Sequence, residues 1–419
     1  MVKVRKFQGF LANQANADRV ISPPYDVLNS EEAKEMAKGN DMCFLRVSKP
    51  EIDLPAGTNL YSQEVYDKGR ENLMLFRKEG FIVEDSEARM YIYMQKMGDR
   101  EQYGIVGMAS IEDYENGLIK RHELTIKKKE EDRTKLSDTQ NANLGPVFLA
   151  FQNGEEIEKR MMEIASTQVP YARVVGHDSI EHVVWLCSVE DSDFFQANFE
   201  NIPCTYIADG HHRAASAFNV GKMRREKAQQ EGSQITGEEP FNFFMAIHYP
   251  ESNLKILDYN RVLKSLNGIS NEEFLQNVTE SYDVTGPLQE GDDNKPSQKN
   301  ECSLYLGNQW YKLKVKEEKI DKSNLVKQLD SQLLTDLVLS PILGISDLRC
   351  DERIDFVGGI RGLDELVKRC HEDCVAAFAM YPVQLQELMD IADAGLIMPP
   401  KSTWFEPKPR DGFVTRCFD

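Results

Sequence analysis

The chain has 419 residues, of which 69 are acidic and 50 are Lys or Arg, so its formal net charge is −19 at pH 7. A charge of this sign and size argues against non-specific binding to nucleic acid or to an anionic membrane, because both depend on basic surface. The length exceeds what one hydrophobic core usually supports, so two or three subdomains are expected. The sequence has no apolar run of about eighteen residues and no apolar block after Met1, which favours a cytoplasmic location.

The cysteines give little sign of disulfides or of a zinc site. All eight are scattered along the chain with no C-x-x-C pair, so free thiols are expected. Cys370, His371 and Cys374 come nearest to the spacing of metal ligands, but they fall at the end of a predicted helix. A structural role is therefore favoured over metal binding there.

The first polar pair of interest follows two consecutive prolines. Pro23 and Pro24 fix an extended backbone directly before Tyr25 and Asp26. Rigid backbone at this point suits side chains that must be held still. An ordinary turn explains the same residues equally well.

Hydrophobic periodicity and turn residues predict alternating helices and strands over the first 150 residues. Asn29 and Glu32 form a capping box that begins a helix. The pair Asn116-Gly117 predicts the last turn of an antiparallel β-meander. The predicted elements of this region are a helix after residue 29, a strand at 44–47, a helix at 64–78, meander strands at 90–97, 103–111 and 118–121, a helix after 124 and a strand at 144–151.

Arg121, His122 and Glu123 follow the last strand of the predicted meander. An imidazole beside a carboxylate at the end of a strand can do general acid–base work, and the carboxylate can alternatively bind Mg²⁺. The charged segment 127–133 comes next. Opposite charges recur there three and four residues apart, which is typical of the solvated face of a helix.

The most concentrated polar group in the sequence is the motif from Asp209 to Arg213. A short apolar run before it predicts a buried strand, and an alanine-rich segment after it predicts a helix. His211, His212 and Arg213 thus stand in the first turn, where partial positive charge and unpaired N–H groups favour an anion, most simply a phosphate. The alternative is that Asp209 is an ordinary N-cap paired with Arg213, which leaves both histidines unexplained.

Further strands and helices are predicted through the rest of the chain. A polar stretch at 286–300 predicts a loop. Arg261 lies in the apolar segment 254–263 and is interpreted either as a second anion-binding group or as a surface strand residue. The remaining predicted elements are strands at 183–186, 241–249 and 375–380, a hairpin at 303–315, and helices at 324–339, 363–369 and 383–395.

A proline-rich stretch from Met398 to Arg410 carries several basic residues. These reverse the local sign of an acidic chain, so Lys401, Ser402 and Thr403 are predicted to contact a phosphate or a carboxylate. The alternative is a polyproline-like segment that packs on the surface through its two aromatic residues.

Several common catalytic motifs are absent from the sequence. There is no G-x-G-x-x-G turn, no P-loop and no G-x-S-x-G elbow. Phosphoryl transfer with a different cradle fits best, because that chemistry needs mainly positioned cations, backbone N–H groups and a carboxylate or a metal.

The motif Asp209-Gly210-His211-His212-Arg213 resembles the nucleotide-binding helix start of the ParB and sulfiredoxin-like fold, and in particular the Asp-Gly-His-x-Arg motif of free-serine kinases that use ADP. Across nearly its whole length the chain also resembles a bacterial and archaeal family known as domain of unknown function 1015. That resemblance rests on Pro23-Pro24-Tyr25-Asp26-Val27, His122-Glu123-x-Thr125 with Asp132-Arg133, Ala208–Arg213 and Met398–Phe405. This chain has Tyr259-Asn260-Arg261 where the family usually has threonine-histidine-arginine, which weakens a histidine role there.

The resemblance implies an α+β fold, with a mixed sheet, a ParB or sulfiredoxin-like nucleotide-binding core and further α/β subdomains. We expect an N-terminal α+β region with the meander at 1–150, a region carrying the Asp209–Arg213 motif at 151–285, and an α/β region at 286–419 whose proline-rich end returns to the site. The implied activity is nucleotide-dependent phosphoryl transfer to a small hydroxylated metabolite such as serine, or the reverse reaction on phosphoserine. The alternatives are a non-enzymatic nucleotide switch and a small-molecule phosphatase or hydrolase.

The residues predicted to act in this reaction fall into three groups. The catalytic candidates are His122, Glu123, Asp26, Asp209, His211 and His212. The phosphate-binding candidates are Gly210, His211, His212 and Arg213. The substrate-binding candidates are Tyr25, Arg121, Lys401, Ser402 and Thr403. The expected cofactor is ADP or ATP with Mg²⁺, for which Glu123 or Asp209 is a candidate ligand, and the expected partner is a small molecule.

Overall fold

The computed structural model describes residues 1–418. The chain forms two units, one of Met1–Leu254 with the chain from Pro407 onward, the other of Lys255–Glu406. Helices and strands occur in both units, and the fold is α+β with a mixed sheet, as expected. These units divide the chain at other positions than residues 150 and 285, and the three-region division stays a prediction. Within residues 1–418, no helix has both the length and the apolar composition needed to cross a membrane.

The strands are, in chain order, β1 (Val4–Arg5), β2 (Phe10–Ala12), β3 (Ile82–Glu84), β4 (Tyr91–Met97), β5 (Arg100–Ser110), β6 (Ile119–Lys120), β7 (Ala142–Asn143), β8 (Val147–Phe151), β9 (Ala172–Val175), β10 (Glu181–Leu186), β11 (Thr205–Asp209), β12 (Phe243–Pro250), β13 (Ile256–Leu257), β14 (Tyr259–Leu263), β15 (Tyr282–Thr285), β16 (Glu301–Leu306), β17 (Gln309–Val315), β18 (Ile354–Gly358), β19 (Ala376–Met380), β20 (Trp404–Phe405) and β21 (Val414–Cys417).

The α-helices are α1 (Ala17–Val20), α2 (Ser30–Met36), α3 (Leu45–Ser48), α4 (Gln63–Lys78), α5 (Ile111–Glu115), α6 (Lys127–Gln140), α7 (Glu155–Thr167), α8 (Val189–Phe199), α9 (His211–Gln230), α10 (Asn271–Val278), α11 (Asp330–Leu334), α12 (Gly362–Glu372) and α13 (Leu385–Asp393).

A nine-stranded mixed sheet organises the first unit. Its order is β6-β11-β8-β12-β5-β4-β10-β9, with β1 paired to β5. The pairs β6–β11 and β8–β12 are parallel, whereas β11–β8 and β12–β5 are antiparallel. Every residue of β8 and β12 is buried, which explains why both read as continuous apolar runs. Helix α9 packs by Ala214, Ala215 and Ala217 into a cluster with Leu149 and Ile207, so the sheet fixes where this helix begins.

A smaller sheet joins β21, near the end of the chain, to strands of the first unit. Its order is β3-β2-β21-β7. Strand β21 lies between β2 and β7, and Asp411 forms a backbone bridge with Ser22 just before it. The segment after Pro407 is therefore held beside residues from the start of the chain.

A six-stranded antiparallel sheet organises the second unit, in the order β15-β17-β16-β19-β14-β18. Phe274 and Val278 of α10 pack on Leu304 and Phe378 of this sheet. The predicted hairpin is confirmed, because β16 and β17 pair across Gly307 and Asn308, which both have positive φ.

Two local predictions are wrong for physical reasons. Residues 44–47 were expected as a strand and mostly form helix α3, because a short apolar run does not distinguish a buried strand from a buried helical turn. Asn116 and Gly117 do not close a meander. Asn116 is the C-cap of α5, Gly117 follows with φ +75°, and β6 pairs with β11. A left-handed glycine serves a helix end as readily as a hairpin.

Candidate functional site

The motif from Asp209 to Arg213 joins β11 to α9, as predicted. Gly210 is the N-cap of α9 with φ +92°, a conformation that L side chains rarely adopt. As a glycine, this N-cap has no side chain that could accept a hydrogen bond from the first turn of the 20-residue helix. Its first turn therefore presents backbone N–H groups and partial positive charge.

The carboxylate of Asp209 is held by a lysine from the C-terminal segment. Nζ of Lys408 donates a hydrogen bond to Oδ1 of Asp209 at 3.0 Å. Burial opposes ionisation of Asp209, but Lys408 and Arg213 outweigh it and hold the pKa of this carboxyl below its ordinary value. The interpretation of Asp209 as the N-cap is wrong, because Gly210 occupies that position.

Arg213 extends from the first turn of α9 towards a group of acidic and aromatic residues. Its Nη2 donates to Oδ1 of Asp26 at 3.3 Å, and its Nη1 donates to the Pro146 carbonyl at 2.9 Å. The guanidinium lies 5.4 Å from the ring centroid of Tyr25. Burial disfavours the charge, but Asp26 and Asp411 raise the pKa of Arg213 above its ordinary value, so it stays cationic. The structure thus brings Tyr25 and Asp26 together with Arg213.

A solvent-connected cleft lies at this arginine, and its wall includes Tyr25, Arg133, Gly145, Arg213 and Asp411. The Arg133 guanidinium lies 4.4 Å from the Tyr25 ring centroid. Burial and the Asp26 carboxylate raise the pKa of Tyr25 to about 12, so its phenol stays protonated at neutral pH. The wall therefore holds two guanidinium groups and a neutral phenol.

Asp411 sits in the same wall. Burial raises the pKa of Asp411 to about 6, although Arg213 acts in the opposite direction. A Cβ atom at Gly145 would lie 2.2 Å from Oδ1 of Asp411, so only glycine allows the backbone to approach this carboxyl so closely.

His122, Glu123 and His211 form a second polar group. The ring centroids of His122 and His211 are 4.5 Å apart with an interplanar angle of 88°. Nδ1 of His211 lies 3.8 Å from Oε2 of Glu123. One ligand atom from each of the three residues lies within 4.8 Å of the other two. The structure therefore brings these predicted residues together.

Both imidazoles of this group are neutral at pH 7. Burial lowers the pKa of His122 to about 4, although Asp209 and the Ile207 backbone act in the opposite direction. Burial, with His122 and His212 nearby, lowers the pKa of His211 well below its ordinary value. An imidazole that is neutral at pH 7 has no proton to give as an imidazolium acid, but its lone pair can bind a metal ion.

His212 and Arg121 have contacts of their own. Nε2 of His212 accepts a hydrogen bond from the Ile126 N–H at 3.0 Å. Burial and Lys129 lower the pKa of His212, so the ring is neutral and carries its proton on Nδ1. The guanidinium of Arg121 lies 4.9 Å from the Tyr114 ring centroid, and its substrate-binding role stays a prediction.

The predicted substrate-binding residues of the proline-rich stretch belong to the second unit. Nζ of Lys401 lies 5.5 Å from the ring centroid of Tyr259. Oγ of Ser402 is buried and lies 3.0 Å from Oγ of Ser331. Thr403 is half-buried. A role for these three residues in binding stays a prediction.

Three residues of the first-unit site were not predicted. Lys408 lies in the basic, proline-rich stretch, where the sequence predicts Lys401 as the binding lysine. Arg133 stands in a segment interpreted as a solvated helix face, and no local pattern marks Asp411. Their contacts depend on how distant segments pack.

The cysteines agree with the expectation of thiols, because none of the eight forms a disulfide within residues 1–418. In residues 1–418, one group of three or more His, Cys, Asp or Glu side chains has ligand atoms close enough to share a metal ion, and it is the His122 group. Cys370, His371 and Cys374 form no such group in that part of the chain.

The sequence matches the model of a family described as "Protein of unknown function (DUF1015)" over residues 4–332. A comparison with curated proteins gives no match. Among solved structures, the chain is similar to a free serine kinase in complex with AMP, with 14% identity, 72% of this chain and 86% of that chain covered, and a TM-score of 0.32. It is also similar to C-terminally truncated SbnI from Staphylococcus aureus, with 10% identity, 73% and 84% covered, and a TM-score of 0.38. A third similar structure is a conserved hypothetical protein from Pyrococcus furiosus, with 14% identity, 75% and 95% covered, and a TM-score of 0.32.

All three TM-scores lie below 0.5, so assignments of function rest on the geometry of this chain. A ParB or sulfiredoxin-like core likewise stays a prediction.

Proposed function

Because the chain belongs to the DUF1015 family, whose description names no activity, we propose its function from the geometry of the first unit: a nucleotide-dependent phosphotransferase acting on a small hydroxylated metabolite. The observation that carries the proposal is the first turn of α9, which begins at a glycine N-cap and places Arg213 in the wall of a cleft with Arg133. Backbone N–H groups at a helix start and arginine side chains are the groups that bind phosphates most effectively.

The proposed donor is ADP or ATP, with its phosphates against residues 210–213. Gly210 supports this placement, because its left-handed conformation directs the chain into α9 without a side chain in the way. Arg213 supplies a permanent positive charge, since nearby carboxylates favour its protonated form. His212 supplies a neutral N–H donor at Nδ1. A nucleotide-bound Mg²⁺ ion would neutralise further charge on the phosphates.

The acceptor is proposed to be an alcohol such as serine. Its oxygen bonds to the terminal phosphorus, its proton passes to a carboxylate, and the bond between phosphorus and the leaving nucleotide oxygen breaks. Asp26 is proposed as the carboxylate, because it is exposed and contacts Arg213. Asp209 is less suited, since Lys408 already holds it. The same groups support the reverse reaction on phosphoserine.

A thermal-shift series with ADP, ATP, CTP and AMP, each with Mg²⁺, tests the proposal first. We expect ADP or ATP to raise the melting temperature, and transfer assays with serine or phosphoserine to give phosphorylated product. If no nucleotide stabilises the protein, the proposal is wrong. If a nucleotide binds but neither substrate is turned over, a nucleotide switch replaces the phosphotransferase.

Arg213→Lys tests the phosphate contact without removing the charge. A lysine offers a point charge where the guanidinium can donate two parallel hydrogen bonds, so nucleotide binding should weaken by roughly 1.5–3 kcal/mol. Arg70→Lys is the matched control, because Arg70 is exposed on α4 and is not among the predicted site residues. Calorimetric titration of both variants should show the loss in R213K alone. Equal affinities would contradict the assignment of Arg213.

A further inference from the structure

We infer that His122, Glu123 and His211 bind one divalent transition-metal ion of the Fe²⁺, Co²⁺ or Zn²⁺ type. Two imidazoles and one carboxylate supply the ligand atoms, all of which lie within 4.8 Å of one another. The inference concerns the metal alone and does not depend on the phosphoryl transfer proposed above.

The topology of the sheet explains how the ligands meet. His122 and Glu123 follow β6, and His211 follows β11 with one intervening glycine. Strands β6 and β11 are parallel neighbours, so their carboxyl ends lie at the same edge of the sheet. Ligands that are about ninety residues apart in sequence are thus placed on rigid elements beside each other.

The two histidines are buried, and three of their four ring nitrogens make no hydrogen bond of normal geometry within residues 1–418. His122 is 2% exposed and His211 is 6% exposed. Within residues 1–418, neither ring nitrogen of His122 nor Nε2 of His211 makes a hydrogen bond of normal geometry. A buried polar group without a partner destabilises the folded state, and buried groups are normally satisfied. A bound ion would satisfy one of the two ring nitrogens of His122.

The distances allow coordination after a small movement of one side chain. Bonds from zinc to nitrogen or oxygen are about 2.0–2.2 Å long, so ligand atoms around one ion lie at most about 4.4 Å apart. Nδ1 of His211 and Oε2 of Glu123 already satisfy this limit at 3.8 Å. The Glu123 side chain is 49% exposed, so it has room to adjust. Three protein ligands leave positions open for water or a substrate oxygen.

The ligand set distinguishes the ion from Mg²⁺. Magnesium prefers oxygen ligands in octahedral geometry, whereas imidazole nitrogen favours zinc, iron and related ions. Two histidines and one carboxylate with open positions are typical of sites for Fe²⁺ and ions of similar size. This site therefore differs in chemistry from a nucleotide-bound Mg²⁺ ion.

Metal titration of the full chain tests the inference. Protein stripped with a chelator is titrated with Co²⁺, and binding is followed by the visible absorption of the bound ion; elemental analysis after loading with Zn²⁺ gives the stoichiometry. We expect one equivalent of either ion, and retention in a large excess of Mg²⁺. Absence of bound Co²⁺ and Zn²⁺, or displacement by Mg²⁺, would overturn the inference.

Glu123→Gln identifies the carboxylate ligand. Loss of a partner that only orients a ligand costs about 10–100-fold in metal affinity, so loss of the ligand itself should cost at least about 10-fold. Glu131→Gln is the matched control on the exposed face of α6, where the Glu131 side chain is 60% exposed. The expected result is weaker Co²⁺ binding in E123Q and unchanged binding in E131Q. Equal binding by E123Q and wild type would overturn the inference.

His122→Asn identifies an imidazole ligand, with His248→Asn as control. His248 is fully buried in β12 and also has an Nε2 without a hydrogen-bond partner in residues 1–418, so both variants remove a similar imidazole. If both are folded by circular dichroism, H122N should bind Co²⁺ at least about 10-fold more weakly than H248N. Equal binding would assign the ion elsewhere and overturn the inference. If either variant fails to fold, the E123Q comparison decides the matter alone.

Discussion

Arg213 in the first unit is largely buried and Arg261 in the second is fully buried, and both are candidates for binding an anion. Burial disfavours the charge of each, but their partners differ. Asp26 and Asp411 raise the pKa of Arg213, whereas burial lowers the pKa of Arg261 to about 10 with no carboxylate to oppose it. Arg261 donates instead to the carbonyls of Tyr259 and Lys401.

The difference separates a binding group from a structural one. Arg213 keeps its charge in the wall of a cleft, where a phosphate could replace or join its carboxylate partners. Arg261 is 1% exposed, and the backbone carbonyls of its own unit accept its hydrogen bonds. The interpretation of Arg261 as a surface strand residue is wrong, and its contacts favour a structural role.

Arg213→Met and Arg261→Met test this difference with the largest expected effect on stability. Methionine at 213 removes the cation that pairs with Asp26 and acts most strongly on Asp411, and we expect a loss of about 3 kcal/mol in the free energy of unfolding at pH 7. Removing one partner of a buried ion pair usually costs about 3–5 kcal/mol. We expect the lower end of that range here, because Asp411 can take up a proton when Arg213 is absent. Methionine at 261 removes a buried charge along with its hydrogen bonds, so a change within about 1 kcal/mol is expected. Urea unfolding measures both, and equal losses would contradict the distinction.

Asp411→Asn tests the unusual carboxyl of the Arg213 region. Asp411 has its pKa raised to about 6, above its ordinary value of 3.8, so the folded protein holds a proton that the unfolded chain has already lost. Asp411 therefore stabilises the folded protein below pH 4, and roughly 2–3 kcal/mol of that stability is lost as the pH rises through 6.

The measurement is urea unfolding of wild type and D411N between pH 4 and pH 7. Titrations of other groups are common to both proteins, so the wild-type free energy minus that of D411N should fall with rising pH. A difference that is constant or rises would show that Asp411 is ionised throughout.

Lys408→Met and Lys401→Met make the same kind of comparison between two lysines of the proline-rich stretch. Lys408 donates to a half-buried carboxylate at 3.0 Å, so its loss should cost about 1.5–3 kcal/mol, as for hydrogen bonds to charged groups. Lys401 is exposed, and its replacement should change stability by at most about 0.5 kcal/mol. Thermal or urea unfolding gives both values. A larger effect at 401 would reverse the assignment.

Gly210→Ala and Gly344→Ala separate backbone strain from binding. Both glycines have positive φ, +92° and +69°, so alanine should destabilise each by about 1–2 kcal/mol. Only G210A displaces the backbone at the start of α9, so only G210A should also weaken nucleotide binding. Nucleotide titration checks this expectation, and unchanged binding in G210A would show that Gly210 does not belong to the proposed phosphate-binding site.

Local signals predicted the parts of the fold that depend on neighbouring residues. The β11–Gly210–α9 joint is confirmed, because an apolar run, a glycine and an alanine-rich segment specify a strand, a left-handed turn and a helix in succession. The capping box of Asn29 and Glu32 is confirmed for the same reason. Where one local pattern serves two structures, as at Asn116-Gly117, the prediction is wrong.

The sequence by itself determined the element types, the acidic character of the chain and the motif from Asp209 to Arg213, since these depend on spacing along the chain. Only the tertiary structure decided three contacts: Lys408 donates to Asp209, the Asp411 carboxyl lies against Gly145, and the ring of His122 lies beside that of His211. Those contacts follow from the parallel pairing of β6 with β11 and from the return of β21 between β2 and β7. Pairing between distant strands is set by the packing of the whole sheet, and no short stretch of sequence carries it.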